Sequence, residues 1–293
     1  MKQHIDKAKT LIEAIPYIKS FTGKTVVIKY GGSAMVDERI RELMMKDIAV
    51  LKLLGIEIVL VHGGGPFINE NLKKFNKQPE FKEGLRVTDK ETMEVVEMVL
   101  SGKINKEIVN DIQKVGVRAV GISGKDGMTL KAKKIMNNGL DLGFVGEIEE
   151  VDTKLIDSLI SSDFLPVIAP VGRDEEGNTY NINADYAAVA IASALNAQKL
   201  VFVTDVAGVM ADIDDPNSLI KQMNVKEAYA NIENGIISGG MIPKVECCID
   251  AVENGVKTVH IIDGRVEHSM LLEIFTQQGI GTMFKKNGDE KCE

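Results

Sequence analysis

The sequence predicts an α/β fold built on a mostly parallel central sheet. Three observations predict it. Short apolar runs of strand length recur along the chain, helical apolar spacing falls between them, and glycine-rich turns close the strands. Strand–helix–strand units of this kind build parallel sheets covered on both faces by helices.

The N-terminal stretch MKQHIDKAKTLIEAIPYIKSF places Leu11, Ile12, Ile15 and Ile18 at roughly helical spacing, and Pro16 is expected to kink or divide that helix. Glu13 and Pro16 interrupt the apolar stretch, so it is not a signal-peptide core. Lys24–Lys29 (KTVVIK) reads as a strand closed by Gly31-Gly32. Arg39–Leu54 is apolar at 40, 43, 44, 48, 51 and 54, an amphipathic helix that Gly55 is placed to end. Glu57–His62 (EIVLVH) is the next strand, followed by Gly63–Pro66 and a helix. Thr88-Asp89-Lys90-Glu91 is a capping-box signal for a helical region through about Lys114, with Gly102 the point where it would split. Arg118–Ile122 is a strand, Thr129–Ile135 and Gly143–Val151 a β-rich excursion, Thr153–Ser162 a helix and Leu165–Pro170 a strand.

A second set follows: helix Asn183–Leu195, strand Leu200–Thr204, a capping box at Asn224-Val225-Lys226-Glu227, helix Met241–Val252, strand Thr258–Ile262, helix His268–Gln277, and Gly281–Phe284 closing the sheet. The charged tail from Lys285 is expected to fray. No repeat or disordered linker stands out. The chain reads as an N-terminal helix (1–22) before two lobes, 23–180 and 181–293.

Composition excludes several functions. The 293 residues suffice for a large core. There is no Trp and only 5% aromatic residues, too little for a platform that stacks single-stranded nucleic acid. A net charge of -8 argues against a phosphate-backbone binder, so any anionic ligand must be held by local positive groups. Cys247, Cys248 and Cys292 have neither zinc nor CxxC spacing and read as reduced structural thiols of a cytoplasmic protein. No apolar run approaches the ~18 residues of a membrane span.

Gly31-Gly32-Ser33, Gly63-Gly64-Gly65 and Gly239-Gly240 fall at strand ends or helix starts, where open α/β sheets bind ligands. Glycines let a backbone approach a ligand and turn N–H groups toward it, and a helix N-terminus adds its dipole. Neither GxxxxGK[ST] nor GxGxxG occurs, so these are not the familiar nucleotide loops. A steric turn is the plain alternative for any one of them. Lysines sharpen the case: Lys29 ends a strand beside the first turn, and Lys244 lies near a helix start just after the last. A cation there is unfavourable against the dipole unless an anion is present. His4, His62, His260 and His268 show no catalytic pattern.

IKYGGSAM, VHGGGPFIN, GLRVTD, YNINAD, FVTDVAGV and GGMIPKV occur in order. With them the chain resembles the amino acid kinase family from about Leu11 to Phe284, and within it the branch acting on N-acetyl-L-glutamate. The resemblance implies a three-layer αβα sandwich, with the amino-acid derivative on the 23–180 lobe and ATP on the 181–293 lobe. It implies that Lys29 and Lys244 stabilise the transition state and that Asp185 holds them. Gly64, Gly65, Arg86 and Asn181 would contact the substrate, and Gly31, Gly32, Thr204, Asp205 and Gly240 the nucleotide. The reaction would move the γ-phosphate of ATP to the side-chain carboxylate, an early step of arginine biosynthesis. Mg²⁺ would arrive on the ATP phosphates, with no metal site of the protein's own.

Members inhibited by arginine carry an extra N-terminal helix that links dimers into a ring-like hexamer. The segment before Lys24 matches it, and Tyr17, His268, Ser269 and Glu273 are the candidate arginine contacts. The alternatives are another amino acid kinase, such as glutamate 5-kinase, or a non-catalytic arginine- or nucleotide-sensing subunit.

Overall fold

The computed structural model describes residues 2–137, 140–276 and 279–287. The first part comprises α1 (Lys2–Phe21), β1 (Thr25–Tyr30), α2 (Glu38–Leu53), β2 (Glu57–His62), α3 (Gly65–Lys74), β3 (Phe81–Lys82), β4 (Leu85–Arg86), α4 (Lys90–Glu97), a π-helical turn (Met98–Ile104) and α5 (Asn105–Lys114). Then come β5 (Ala119–Ser123), β6 (Leu130–Asn137), β7 (Leu140–Val151), α6 (Lys154–Ser161), β8 (Leu165–Ala169), β9 (Val171–Arg173) and β10 (Thr179–Asn181). The remainder is α7 (Ala184–Ala194), β11 (Lys199–Thr204), β12 (Gln222–Asn224), α8 (Val225–Glu233), α9 (Met241–Glu253), β13 (Thr258–Asp263), α10 (Ser269–Phe275) and β14 (Thr282–Lys285).

Eight strands form one sheet in the order β12–β14–β13–β11–β1–β2–β8–β5. It is parallel from β13 to β5, while β14 runs antiparallel to β13 and β12 parallel to β14. This is the α/β fold with a mostly parallel sheet that the sequence predicts. β1 pairs with β2 on one side and β11 on the other. The loops at its carboxyl end therefore diverge, and such a switch point leaves a crevice for a ligand.

Period-two alternation divides the core. Val26, Ile28 and Tyr30 of β1 pack with Ile58 and Leu60 of β2 against residues of α2 and α5. Val27, Val59 and Val61 pack on the opposite face against Ala187 and Ala188 of α7 and Val245 and Ile249 of α9. The intervening β-rich excursion curls β6, β7, β9 and β10 into a small closed barrel.

Some expectations change. Pro16 does not divide α1, which continues to Phe21; the proline removes only one intrahelical donor from a helix that carries on past it. The run from Lys90 does not split at Gly102. It widens into the π turn, where the Asn105 N–H donates to the Leu100 carbonyl, five residues back. Asp89 rather than Thr88 caps α4, its carboxylate accepting from Thr92 N–H at 2.8 Å. The capping box at Asn224 and Glu227 forms as expected. α10 ends at Phe275, and Gln277 lies outside the described residues, as does Cys292. Lys285 is not frayed: it ends β14 and is buried. The hairpin β3–β4 and the short strands β9 and β10 were not legible, because two or three residues carry no period.

Candidate active site

Alternation along β1 decides where Lys29 points. It shares a face with Val27, the face that α7 and α9 cover. α7 opens with Asn183 as its cap, the Asn183 side-chain oxygen accepting from Asp185 N–H at 2.8 Å. Asp185 therefore sits in the first turn, over the carboxyl end of β1. α9 follows Gly239-Gly240 and carries Lys244 near its start. Lys29 Nζ lies 2.8 Å from Asp185 Oδ1, and Lys244 Nζ lies 3.7 Å from Asp185 Oδ2. One carboxylate thus spans two ammonium groups brought from different elements. Burial opposes the charge on Asp185, but Lys29 and Lys244 together outweigh it and hold its carboxyl below the usual range.

Beside this triad is a cavity of about 260 Å³, lined by Lys29, Gly31, Gly64, Arg86, Asn181 and Asp185 among others. Two glycines of its wall stand close to side chains. A Cβ on Gly31 would lie 2.7 Å from Lys29 Nζ, and one on Gly64 would lie 2.5 Å from Leu100 Cδ2 and 2.6 Å from Ile104 Cδ1. Gly64 and Gly65 line the cavity at the start of α3, where the first N–H groups of a helix have no intrahelical partner. Gly32 adopts φ +69°, and a Cβ on it would lie 4.0 Å from Asp205 N. The turns after β1 and β11 therefore meet.

Arg86 is the other positive group in the wall. It is buried, Nη2 donates to the Gly65 carbonyl at 3.3 Å, and its guanidinium lies 4.6 Å from the centre of the Phe81 ring. Nη1 is buried with no partner among the described residues. Burial pulls the Arg86 pKa down to about 10, which leaves it charged at neutral pH. A desolvated cation with an unused donor calls for an anion, and its planar fork suits a carboxylate.

Asn181 Nδ2 donates to Thr88 Oγ at 3.2 Å, and that hydroxyl donates to the Arg86 carbonyl at 2.8 Å. Thr88 was missed as a site residue. Its place in the capping-box pattern points to a helix cap, and only its burial reveals the other role. Phe81 was missed because the hairpin carrying it was.

Thr204 ends β11 and is buried, its hydroxyl lying 3.2 Å from the Ile262 carbonyl and 3.1 Å from the Val206 carbonyl. Asp205 follows it and is exposed. Gly240 immediately precedes α9. None of these three lines the cavity. Cys247 and Cys248 lie buried on α9, and burial pushes the Cys247 thiol up to about 12, which makes it a poor nucleophile.

The four candidate effector contacts lie elsewhere. Tyr17 is half-buried on α1, which packs against α10. His268, with φ +58°, precedes α10, and its Nδ1 lies 2.7 Å from Asp47 Oδ1. Ser269 is buried, with its hydroxyl unpartnered among the described residues. Glu273 is buried against His260 Nδ1, and its Oε2 accepts from Ile280 N–H at 2.8 Å and Gly281 N–H at 3.1 Å. Despite the cost of burial, those partners hold its carboxyl down to about 2.

The profile of the amino acid kinase family matches residues 24–263. The acetylglutamate kinase of Caldanaerobacter subterraneus subsp. tengcongensis is 57% identical over 280 residues, spanning 96% of this chain and 93% of that protein. Among solved structures, N-acetylglutamate synthase from Neisseria gonorrhoeae, complexed with coenzyme A and N-acetyl-glutamate, superposes with a TM-score of 0.85 at 27% identity. The match covers 96% of this chain and 64% of that one. Carbamate kinase from Giardia lamblia bound to AMP-PNP has a TM-score of 0.65 at 19% identity, over 90% of this chain and 99% of that one, a likeness of fold.

Proposed function

The chain belongs to the amino acid kinase family, and we propose that the cavity beside Lys29, Asp185 and Lys244 is where it phosphorylates its substrate. It is an ATP-dependent kinase of N-acetyl-L-glutamate in arginine biosynthesis, making the acyl phosphate and ADP. One observation carries the assignment of the site: Lys29 and Asp185, the latter also paired with Lys244 outside the wall, line a cavity that holds the half-satisfied Arg86. Such a cavity suits a dianion with one carboxylate to be captured and another to react. ADP release with N-acetyl-L-glutamate, L-glutamate and L-aspartate, each with and without arginine, tests the reading. Turnover confined to the acetylated substrate is expected; equal turnover with L-glutamate would replace it with a glutamate kinase.

The acceptor carboxylate, with an ordinary pKa near ~4.3, is ionised at neutral pH and needs no base. The barrier is the approach of an anion to a polyanion. Lys29 and Lys244 offset it from two directions, and Asp185 keeps them from repelling each other apart. Gly64 and Gly65 present N–H groups at the start of α3, and Gly31 and Gly32 do the same after β1. Arg86 and Asn181 take the α-carboxylate side of the substrate. Thr204, Asp205 and Gly240 face the nucleotide, and Mg²⁺ accompanies its phosphates. In this reading residues 23–180 bind the amino-acid derivative and 181–293 bind ATP. Arg86→Lys replaces a fork with a point charge. It is expected to raise KM for N-acetyl-L-glutamate about tenfold and change kcat less than about threefold. Steady-state kinetics decide it, and an unchanged KM removes Arg86 from the substrate site.

Among the described residues no helix is long and apolar enough to cross a membrane, and a cytoplasmic setting suits the reaction. Feedback by arginine and a homohexamer, a trimer of dimers joined by the 1–22 helix, complete the proposal. Leu11, Ile12 and Ile15 are exposed on α1, an apolar face that a second copy would cover. Tyr17, His268, Ser269 and Glu273 stand near the α1–α10 contact. Deleting residues 1–20 is expected to abolish arginine inhibition and reduce the assembly from six copies to two, by light scattering. A truncated enzyme still hexameric and inhibited would end this part of the proposal.

A further inference from the structure

A chain of buried polar groups stands apart from the reaction chemistry. His62 ends β2 and is fully buried. Its Nδ1 lies 2.9 Å from the Gly63 carbonyl, and its Nε2 lies 3.2 Å from Asn105 Nδ2. Asn105 is fully buried too, and the same Nδ2 also lies 2.9 Å from the Val167 carbonyl and 3.3 Å from the Ile122 carbonyl. Its Oδ1 accepts from Lys106 Nζ at 3.0 Å. A carbonyl can only accept, so the Gly63 contact fixes the neutral tautomer: the proton is on Nδ1 and is donated to Gly63, which leaves Nε2 bare beside Asn105 Nδ2. Burial holds the imidazole neutral, pulling its pKa down to about 4.

Asn105 is the residue whose N–H closes the π turn on Leu100. The turn therefore sets Asn105 beside His62, while Ile104 just before it and Leu100 one turn back close on Gly64. Single π turns inside α-helices are often found at functional sites. Gly121 leaves the room Asn105 needs, since a Cβ there would lie 1.8 Å from Asn105 Oδ1.

The Gly63 carbonyl and the Gly64 N–H belong to one planar trans peptide and point in opposite directions. A donor beneath the loop that pulls the carbonyl inward turns the N–H outward, toward the cavity.

We infer that His62 and Asn105 are positioning residues which, through the π turn, aim the Gly64 N–H at the reacting anion. The inference rests on the proposed reading of the Gly63–Gly65 turn as part of the substrate site. Neither residue touches substrate. Misplacing a reacting group by about 1 Å can cost about 10²-fold in rate.

The two ends of the imidazole can be tested apart. His62→Asn puts an amide N–H near the place of Nδ1, while His62→Gln puts one near Nε2. His62→Asn is expected to keep kcat within about tenfold of the parent, and His62→Gln to lose about 10²-fold, with KM for ATP unchanged in both. Equal losses in the two variants would overturn the inference. Asn105→Asp replaces the donor to Nε2 with an acceptor and should lower kcat as His62→Gln does.

Nitrogen-15 NMR of the unaltered protein supplies a readout that no folding failure can remove. Nδ1 of His62 is expected to be protonated and Nε2 bare, with no titration between pH 5 and 8. A proton on Nε2, or an imidazolium at pH 7, would overturn the inference. The parent enzyme tests the underlying reading separately. If it fails to turn over N-acetyl-L-glutamate, the reading fails, whereas turnover with the wrong tautomer refutes the relay alone.

Discussion

Lys244→Ala is expected to lower kcat by about 10²- to 10³-fold while the dissociation constant for N-acetyl-L-glutamate stays within about threefold. Lys244 reaches the site from the far side of Asp185 and lies off the wall of the substrate cavity. In the proposed mechanism its charge matters when negative charge moves between nucleotide and acceptor, and little when the acceptor merely binds. Lys244 is also the better lysine to remove. Its side chain is 30% exposed and 3.7 Å from Asp185, against 11% and 2.8 Å for Lys29. Losing Lys29 would strip the buried carboxylate of its nearer partner and confuse catalysis with folding. Calorimetric titration alongside single-turnover kinetics separates the two quantities. Near-parental turnover would remove Lys244 from the reaction. The Lys29→Ala, Lys244→Ala double variant should lose far less than the product of the single losses, because the lysines act as a unit.

How much of this was readable from the sequence depends on the length scale of each signal. β1, β2 and β11 were found within a residue or so, since each is a buried strand of six residues in a parallel sheet. The alternation that places Lys29 on the α7 face was present in KTVVIK, yet which helix covered that face was not. That depends on strand order, where residues 29 and 199–204 become neighbours only through pairing. The Asp185 bridge was suggested by family resemblance alone, because an acidic residue in a first helical turn is ordinary. Thr88 and Phe81 were invisible for the opposite reason. One satisfied a local cap pattern that tertiary structure overrode, and the other sits on a two-residue strand. Gly102 announced that something happens in the helix, but sequence reasoning chose a break. Packing of Leu100 and Ile104 against Gly64 instead favours a wider turn that keeps the helix whole.

Asp185→Asn separates holding the lysines from holding the substrates. The amide keeps the shape and one acceptor but removes the charge between two ammonium groups. Lys29 is confined by β1, so Lys244, the more exposed partner, should swing away. We expect kcat to fall about 10²-fold. ATP, however, should bind as well as before or more tightly, because the site loses a negative charge and a polyanion benefits. A parallel loss of ATP affinity would mean that Asp185 serves the fold rather than the geometry of transfer. The pH dependence of stability gives a further check. The folded-state pKa of Asp185 lies below its unfolded value, so the stability it contributes is complete above the ordinary carboxylate range, near ~3.9, and is lost as pH falls through the depressed value. The variant should therefore be less stable than the parent at pH 7 by denaturant unfolding, with the gap closing in strong acid. A gap independent of pH would place its origin in packing rather than in the charge that spans the two lysines.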